Sequence, residues 1–499
     1  MTTSQLPALL VLSPLLGSFF VVLLALRSPG RARTISLVSV GLGLLACLGT
    51  LARTRDGNVL LYAFGSWAAP YGIEYRVDGL AACVATLVGG TAFVSLFFAA
   101  PTAARELRGR EAPFFAFLCL FVAALEGMIV TGDLFNLYVF LEITALSAYT
   151  LVAAGGPRSV VASFRYLVLG TLGATFYLLG LAFLLATTGT LNMADMAELL
   201  RQRAPDPALA VAVTFVVAGL GLKMALFPLH GWLPDAYTYA PSASAPFLAA
   251  LTTKVAAFAL FRVLFGVLWP AIEPYRGTLT FALGWLAVAG VLGGSVMALV
   301  QHKTRRLLAY SSVSHLGMIA MGLALANPLG LAGALLHILA HGLGKGGLFL
   351  ATGAVEFRRE GGRVEDFRSA SHDLPLTTTS FTLCALSLVG LPPTLGFFSK
   401  WYLLLGALEA RRYSFAVALL AGSLLGIWYF FRVLEGAYFG KPTPEVAKLR
   451  PEVPLSILLP TLLLAASVLV LGFLVRPLMD HWIVPSLGAL RLGTAAGAP

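Results

Sequence analysis

Apolar residues occur along the chain in runs of about 20, which is the length that a helix needs to cross a bilayer. Short polar stretches separate these runs. The pattern predicts about fourteen membrane-spanning helices. They are expected near residues 5–26, 34–52, 79–100, 113–131, 133–154, 163–187, 208–228, 243–266, 278–300, 306–326, 329–356, 376–407, 414–436 and 454–476. Asp133 marks a very tight connection between the fourth and fifth spans.

The composition also indicates a membrane protein. Hydrophobic residues make up 58% of the chain and charged residues 11%, whereas charged residues are about 25% of a soluble protein. The expected fold class is all-α integral membrane, and 1–499 is expected to be a single polytopic membrane domain. The net charge of +11 does not indicate nucleic acid as a partner, because most of the basic residues lie in short loops.

Basic residues concentrate in the odd-numbered loops between the predicted spans. By the positive-inside rule these loops face the cytoplasm, and both termini then face outward from the cell inner (plasma) membrane. The residues that carry this bias are Arg27, Arg31, Arg33, Arg105, Arg108, Arg110, Arg158, Lys303, Arg305, Arg306, Arg358, Arg359, Arg363, Arg368, Lys441, Lys448 and Arg450. The longest polar insert, 357–375, is expected to be a cytoplasmic loop or a contact with a partner.

The seventh span contains a lysine and is followed by a proline. Lys223 lies in an apolar run, and Pro228 comes about one helical turn later, where it should break the helix. Charged groups at membrane depth are expensive and usually line an ion path. Broken helices at that depth are tolerated where they line a cavity or are buried in protein. The alternative is a lysine that snorkels to the interface.

The twelfth span repeats this combination, because Pro392 and Pro393 interrupt it and Lys400 follows. Two proline-interrupted spans about five spans apart predict a transporter built from repeats. Two unrelated kinked helices are the alternative, and the shared lysine favours the repeat.

Further ionisable residues lie inside predicted spans. The fifth span holds Glu142, the eighth Lys254 and the tenth His315, while His337, His341 and Lys345 recur every four residues of the eleventh and so share one helix face. Each buried cation costs at least about 2.5–3.5 kcal/mol on insertion scales. A line of acid, lysine and histidine is what a proton relay requires. The candidate proton path comprises Glu142, Lys223, Lys254, His337, His341, Lys345 and Lys400.

Other chemistry is not indicated. The HxxxH pair of the eleventh span lacks a carboxylate or cysteine that would complete a zinc site. Gly342, Gly344 and Gly347 match a dinucleotide fingerprint by spacing, but no strand precedes them, so close helix packing is the expected role. The cysteines are expected to be small core residues; they are Cys47, Cys83, Cys119 and Cys384. No cofactor, metal or catalytic residue is predicted.

Five motifs carry a resemblance to a known family: DLFNLYVFLEI, KMALFPLHGWLPDAYTYAP, RRLLAYSSVSHLG, HILAHGLGKGGLFL and LPPTLGFFSKWYLL. The chain resembles the antiporter-like subunits shared by respiratory complex I, membrane-bound hydrogenases and Mrp-type cation/proton antiporters. The resemblance implies a key pair, Glu142 and Lys223, a bridging Lys254, and a relay through the eleventh span. It also implies an exit residue at Lys400, where one complex I subunit type has glutamate. It further implies two inverted five-helix repeats, 109–267 and 278–436.

Within the family, lysine at both the eighth-span and twelfth-span positions looks most similar to the D-type subunit of Mrp antiporters. The expected function is therefore proton translocation in a multi-subunit Na⁺(cation)/H⁺ antiporter, with other membrane subunits as partners. A subunit of complex I, an NADH:quinone oxidoreductase, or of a hydrogenase is the alternative. A self-sufficient transporter of an organic solute and a structural subunit without conduction are other possibilities. Whether Na⁺ uses this path stays open.

Overall fold

A computed structural model describes residues 2–203, 206–359, 361–441 and 452–490. Lys448 and Arg450, two of the residues used to assign the loops, lie outside these ranges. The helices are α1 (Leu6–Leu24), α2 (Pro29–Arg53), α3 (Gly79–Glu106), α4 (Glu111–Val130), α5 (Leu134–Ala153), α6 (Pro157–Thr188), α7 (Met193–Gln202), α8 (Pro207–Lys223), α9 (Leu233–Tyr239), α10 (Ala245–Phe247), α11 (Thr253–Val263), α12 (Arg276–Leu299), α13 (Thr304–Leu325), α14 (Pro328–Arg359), α15 (Ala370–Asp373), α16 (Pro375–Val389), α17 (Leu395–Glu409), α18 (Tyr413–Phe439), α19 (Leu455–Phe473), α20 (Val475–Leu478) and α21 (Val484–Gly488).

The fold is almost entirely helical, as predicted, and helices occupy each of the predicted spans. Within the described ranges, 11 helical stretches are long and apolar enough to cross a membrane. One of them, 245–299, contains both the eighth and the ninth predicted spans. Two shorter apolar helices, α8 and α16, are the first halves of interrupted spans. The chain is a multi-pass membrane protein, while the number of crossings and the two repeats stay predictions.

The seventh span is broken, but the break begins earlier than predicted. Helix α8 ends at Lys223 and not at Pro228. Proline lacks the N–H that would bond four residues back, and it disfavours helical geometry in the residue before it, so the helix ends ahead of the ring. Ala225 adopts a left-handed conformation with φ 60°. The Trp232 indole N–H donates to the Leu222 carbonyl at 3.0 Å and satisfies one of the free carbonyls at the helix end.

The twelfth span is broken where the sequence predicts it. Helix α16 ends at Val389, and α17 begins at Leu395, two residues after the second proline. Gly390 terminates α16 with φ 98°, a conformation that glycine adopts without the strain a Cβ would add. Lys400 therefore lies in the second half of the span, whereas Lys223 is the last residue of the first half of its own.

A small sheet outside the helical array was not predicted. Its strands are β1 (Thr2–Thr3), β2 (Leu60–Ala63) and β3 (Glu74–Val77), with β1 parallel and β3 antiparallel to β2. Short strands of this kind lack the alternating pattern that would reveal them beside long apolar runs. The Asn192 amide donates to the Glu74 carboxylate at 3.1 Å, which ties β3 to the residue that precedes α7.

The polar insert 357–375 is only partly a loop. Helix α14 continues through its first three residues to Arg359, and the short helix α15 lies near its end. Arg359 forms a buried ion pair with Asp373. This contact anchors the insert against the helical array and explains why α14 extends beyond its apolar part.

Helix α14 is the centre of the array. In the most apolar 18-residue stretch of each helix, all residues of α14 and 94% of those of α13 are buried. The corresponding share is 39% for the peripheral helices α1, α2 and α6. Close backbone contacts hold the surrounding helices together. A Cβ at Gly219 of α8 would lie 2.6 Å from the Gly173 carbonyl oxygen and the Tyr177 nitrogen of α6. The central position of α14 places its three predicted relay residues in the protein interior.

Candidate proton path

Glu142 and Lys223 form an ion pair between α5 and α8. Their Oε1 and Nζ atoms are 3.3 Å apart. The Lys223 side chain is 9% exposed and the Glu142 side chain 27%, so the pair is open on the carboxylate side and closed on the ammonium side. The break after α8 leaves Lys223 at the helix C-terminus, where the free carbonyls favour a cation. The structure thus brings together the two residues that the sequence paired.

Lys254 is completely buried at the start of α11. A π-helical turn, Leu248–Thr252, precedes it, and such turns frequently mark functional sites. The ammonium donates to the Ala249 carbonyl in this turn and lies 3.4 Å from the Thr253 hydroxyl. Neutral oxygens therefore surround this cation. The sequence did not predict the π turn, because no residue type marks it.

Three histidines cluster between α13 and α14. His315, His337 and His341 are at most 2% exposed, and their ring centroids lie 5.2–6.2 Å apart. Within the described chain, neither ring nitrogen of His341 has a hydrogen-bond partner, and Nε2 of His315 has none. The three rings therefore form one buried cluster that joins α13 to α14.

A hydrogen-bond chain runs through this cluster. His315 Nδ1 lies 3.1 Å from His337 Nε2, and His337 Nδ1 lies 2.8 Å from the Ser399 hydroxyl on α17. The Ser399 hydroxyl also contacts the Gly396 carbonyl at 2.8 Å. When Ser399 donates to that carbonyl, it accepts from His337 Nδ1, and His337 Nε2 accepts from His315. When the hydroxyl rotates to donate to His337, the polarity of both bonds reverses. The hydrogen bonds between Ser399, His337 and His315 can therefore point in either direction, so a proton can pass along them either way.

Lys345 and Lys400 are each held by uncharged oxygens. Lys345 is fully buried, and its ammonium donates to the Leu308 carbonyl at 2.8 Å and to the Ser311 hydroxyl. Lys400 donates to the Val389 carbonyl and to the Ser423 hydroxyl, both at 2.9 Å. Neither lysine forms an ion pair within the described residues. Both can therefore lose a proton without leaving a carboxylate unpaired.

The sequence-based set omits several residues that the structure adds. His315 joins His337 directly, although it was not included in the predicted path. Ser399 and Ser311 complete the contacts of His337 and Lys345, and nothing distinguishes them in sequence from structural serines. Glu126 of α4 is a buried acid, 2% exposed, 3.6 Å from the Cys47 thiol. It could have been noticed by the same criterion as Glu142, a carboxylate inside an apolar span.

The other sequence expectations have clear structural outcomes. The four cysteines are buried and not disulfide-bonded, as expected of small core residues. The glycines of the eleventh span lie in close helix contacts: a Cβ at Gly342 would approach Leu87 to 2.8 Å, and one at Gly347 would overlap the Cys384 sulfur. The prediction that they allow close packing is confirmed.

Comparison with known proteins identifies the family. A model described as NADH:quinone oxidoreductase/Mrp antiporter, TM matches residues 131–426, a range that contains every residue of the predicted path. The chain belongs to this family. It is 46% identical over 96% of its length to the N-type subunit of NADH-quinone oxidoreductase from Desulforudis audaxviator, covering 98% of that protein. It is 31% identical over 94% of its length to the D-type subunit of the Na(+)/H(+) antiporter from Alkalihalophilus pseudofirmus, covering 94% of that protein.

A solved structure shares the fold. A chain of the membrane-bound sulfane sulfur reductase, an archaeal respiratory membrane complex, superposes with a TM-score of 0.89 at 30% identity, over 98% of both chains. The protein is thus a proton-translocating, antiporter-like membrane subunit of this family, whose partners are other membrane subunits.

Proposed function

We propose that the chain carries protons through the membrane arm of a respiratory complex of the NADH:quinone oxidoreductase type. The observation that supports this most directly is the Glu142–Lys223 pair, 3.3 Å apart, beside a broken helix. Beyond it, Lys254, Lys345 and Lys400 are buried with neutral oxygen partners. Intramembrane cations are costly, and a protein that keeps this many uses them for ion movement.

The proposed assembly follows the higher identity to the NADH-quinone oxidoreductase relative, 46% against 31% for the antiporter relative. The Mrp assignment favoured by the lysine pattern is the second candidate, and the 94% coverage of an antiporter protein supports it. In both assemblies the proposed location is the cell inner membrane. The odd-numbered loops are proposed to face the cytoplasm and the termini to face outward.

In the proposed mechanism, a change of charge in a neighbouring subunit alters the Glu142–Lys223 pair. With the carboxylate close, the ammonium form of Lys223 is stabilised. When the carboxylate moves or takes up a proton, Lys223 is a buried cation without compensation and transfers its proton onward. Lys254 and the histidine cluster then carry the charge towards Lys400. Since no cofactor is predicted in this chain, the energy comes from partner subunits.

The test uses the intact complex in sealed vesicles. Lys223→Ala and Glu142→Ala should abolish proton movement while the complex still assembles. Arg201→Ala, which removes an exposed ion pair with Glu198 on α7, is the matched control and should leave transport unchanged. Parental proton movement with Lys223→Ala would contradict the proposal. Proton movement driven by quinone reduction supports the first assembly, and movement driven by a sodium gradient alone supports the second.

A further inference from the structure

Two cavities lie on the predicted cytoplasmic side, and both are lined by Glu356 near the end of α14. The larger has a volume of about 540 Å³ and is lined by basic and acidic side chains that include Lys303, Arg305, Arg363 and Asp366. The smaller, of about 360 Å³, reaches Glu356 from the side of Glu106 and Ser242. Glu356 is therefore a residue that the two cavities have in common.

Hydrogen bonds hold Glu356 at the floor of these cavities. Its carboxylate pairs with the Arg305 guanidinium and lies 3.3 Å from the Ser242 hydroxyl. The Ser242 backbone N–H donates to the Glu106 carboxylate at 2.7 Å. The Glu356 side chain is 17% exposed, against 9% for Arg305, so the acid is the more accessible partner of the pair. A titratable group therefore lies between water and the helix that carries the relay.

Helices α3 and α14 run side by side from this floor into the protein. A Cβ at Gly342 would approach Leu87, one at Gly346 would approach Thr91, and one at Gly353 would approach Phe98. The contacting residues advance together along the two helices, so the helices are parallel and in constant register. Each of these contacts is between a glycine of α14 and a side chain of α3.

That seam contains hydroxyl groups that lack a protein partner. Thr91 and Ser95 of α3 are at most 1% exposed, and the hydroxyl of neither finds a hydrogen-bond partner in the described chain. Thr102 and Glu106 follow at helical spacing on the same face of α3. A buried hydroxyl without a partner costs about 1–3 kcal/mol. Ordered water is the usual partner of such a group in a protein interior.

The inner end of the seam reaches the relay residues. Thr91 lies at the level of Gly346, which directly follows Lys345, and a Cβ at Gly346 would also approach Ala250 to 3.4 Å. The neighbouring Ala249 carbonyl accepts from the Lys254 ammonium. Glu356 is eleven residues beyond Lys345, which places them on one face of α14 about 16 Å apart. The seam thus spans the interval between the cavity floor and two buried lysines.

We propose that α3 and α14 enclose a hydrated proton-entry route, in which Glu356 takes up protons from cytoplasmic water and Thr91 and Ser95 hold the water that carries them to Lys345 and Lys254. This proposal rests on the proposed function and names the entry side of the path. A proton binds the Glu356 carboxylate and weakens its pair with Arg305. It then leaves to the water in the seam, which restores the carboxylate and the pair.

The first experiment measures hydration of the seam and does not depend on transport. The natural cysteines are first replaced by serine, and Ser95→Cys is introduced into the intact complex. A small, water-soluble methanethiosulfonate is then added from the side of the odd-numbered loops. Ser95→Cys should be labelled. Thr461→Cys of α19 is the matched control and should not be labelled, because Thr461 is equally buried beside α14 but its hydroxyl bonds to the Ile457 carbonyl at 2.8 Å. Absence of labelling at Ser95→Cys would overturn the proposal.

The second experiment measures proton uptake by Glu356 variants. Glu356→Gln should slow uptake at least about tenfold, and more steeply as the pH on the entry side rises, whereas Glu356→Asp should retain most of the rate. The charged groups that line the two cavities around this position are Arg105, Arg305, Lys303, Arg363, Glu106 and Asp366. Glu356→Gln alone leaves the Arg305 guanidinium without its ion-pair partner. The double variant with Arg305→Gln removes that unpaired charge, so it distinguishes loss of the proton-accepting carboxylate from disturbed packing. If the pair acts only structurally, the double variant recovers the rate, and the proposal is wrong.

A further control separates this proposal from the proposed function. Asp373→Asn breaks the other buried ion pair at the end of α14, with Arg359, and neither of these residues lines the two cavities. It should leave the pH dependence of uptake unchanged. If Lys223→Ala abolishes transport while Glu356→Gln behaves like the parent, the entry route is wrong and the function stands. If Lys223→Ala also transports normally, the proposed function itself fails.

Discussion

Replacement of Lys400 by leucine tests whether the far end of the path is functional. Lys400 is 8% exposed and donates to the Val389 carbonyl, at the end of α16, and to the Ser423 hydroxyl of α18. Its ammonium therefore occupies the gap between the two halves of the broken twelfth span. Leucine fills a similar volume but cannot carry a proton, so the substitution removes the chemistry while it preserves most of the packing.

The free-energy cost of this substitution can be estimated from the contacts. Removal of the buried cation recovers about 2.5–3.5 kcal/mol on insertion scales. The Val389 carbonyl loses its donor, which costs about 1–3 kcal/mol. Ser423 keeps its bond to the Leu419 carbonyl at 2.9 Å, so it contributes little. The difference between the two terms lies between about 0.5 kcal/mol against the leucine variant and about 2.5 kcal/mol in its favour. Insertion and assembly should therefore be unchanged or slightly improved.

Transport should nevertheless be lost. The assay is proton movement by the purified complex in vesicles, with the amount of assembled complex measured separately. Lys400→Glu should be tolerated better than Lys400→Ala, because glutamate still offers a titratable group in the same gap. If Lys400→Leu transports like the parent while Lys223→Leu does not, Lys400 is a structural side chain and the path ends elsewhere.

Two more substitutions test the packing and the histidine chain. Gly219→Ala should lower the amount or melting temperature of the assembled complex, at a cost of about 1–3 kcal/mol, because its Cβ would meet the α6 backbone at 2.6 Å. Gly221→Ala is the control, since its Cβ would meet only the Leu226 side chain, at 3.5 Å; equal losses in both would contradict the packing argument. Ser399→Ala should slow proton movement up to about tenfold, since a lost hydrogen bond costs about 0.5–1.5 kcal/mol. Ser399→Thr keeps the hydroxyl and should restore the rate. A parental rate with Ser399→Ala would exclude the hydroxyl from the relay.

The sequence predicts most of the helical fold because the bilayer imposes a simple rule on it. A span requires about 20 apolar residues, and prolines reveal where a span is interrupted. The exact break is harder to predict, because it depends on contacts such as the one between Trp232 and the Leu222 carbonyl. The small sheet and the π turn at 248–252 depend on tertiary packing and have no local pattern of their own.

The candidate site shows a similar division. A charge inside an apolar span is conspicuous, so Glu142 and the four lysines could be found by inspection. The histidine cluster could be found only in part, since the spacing on α14 shows a shared face but does not reveal that His315 of α13 lies against it. Serines such as Ser399 are common in membrane helices, and only the position of α17 relative to α14 identifies this one.

Helix irregularities do more in this protein than bend the chain. The π turn before α11 presents the Ala249 carbonyl to Lys254, and the end of α16 presents the Val389 carbonyl to Lys400. A carbonyl oxygen has two lone pairs, so a carbonyl at a helix irregularity can accept from a side chain as well. Uncharged carbonyls stabilise an ammonium but leave no unpaired charge when it loses its proton. These irregularities therefore supply neutral partners that suit a lysine which must hold and release a proton. Lys223 instead pairs with the Glu142 carboxylate, and this is the pair that is proposed to form and break during transport.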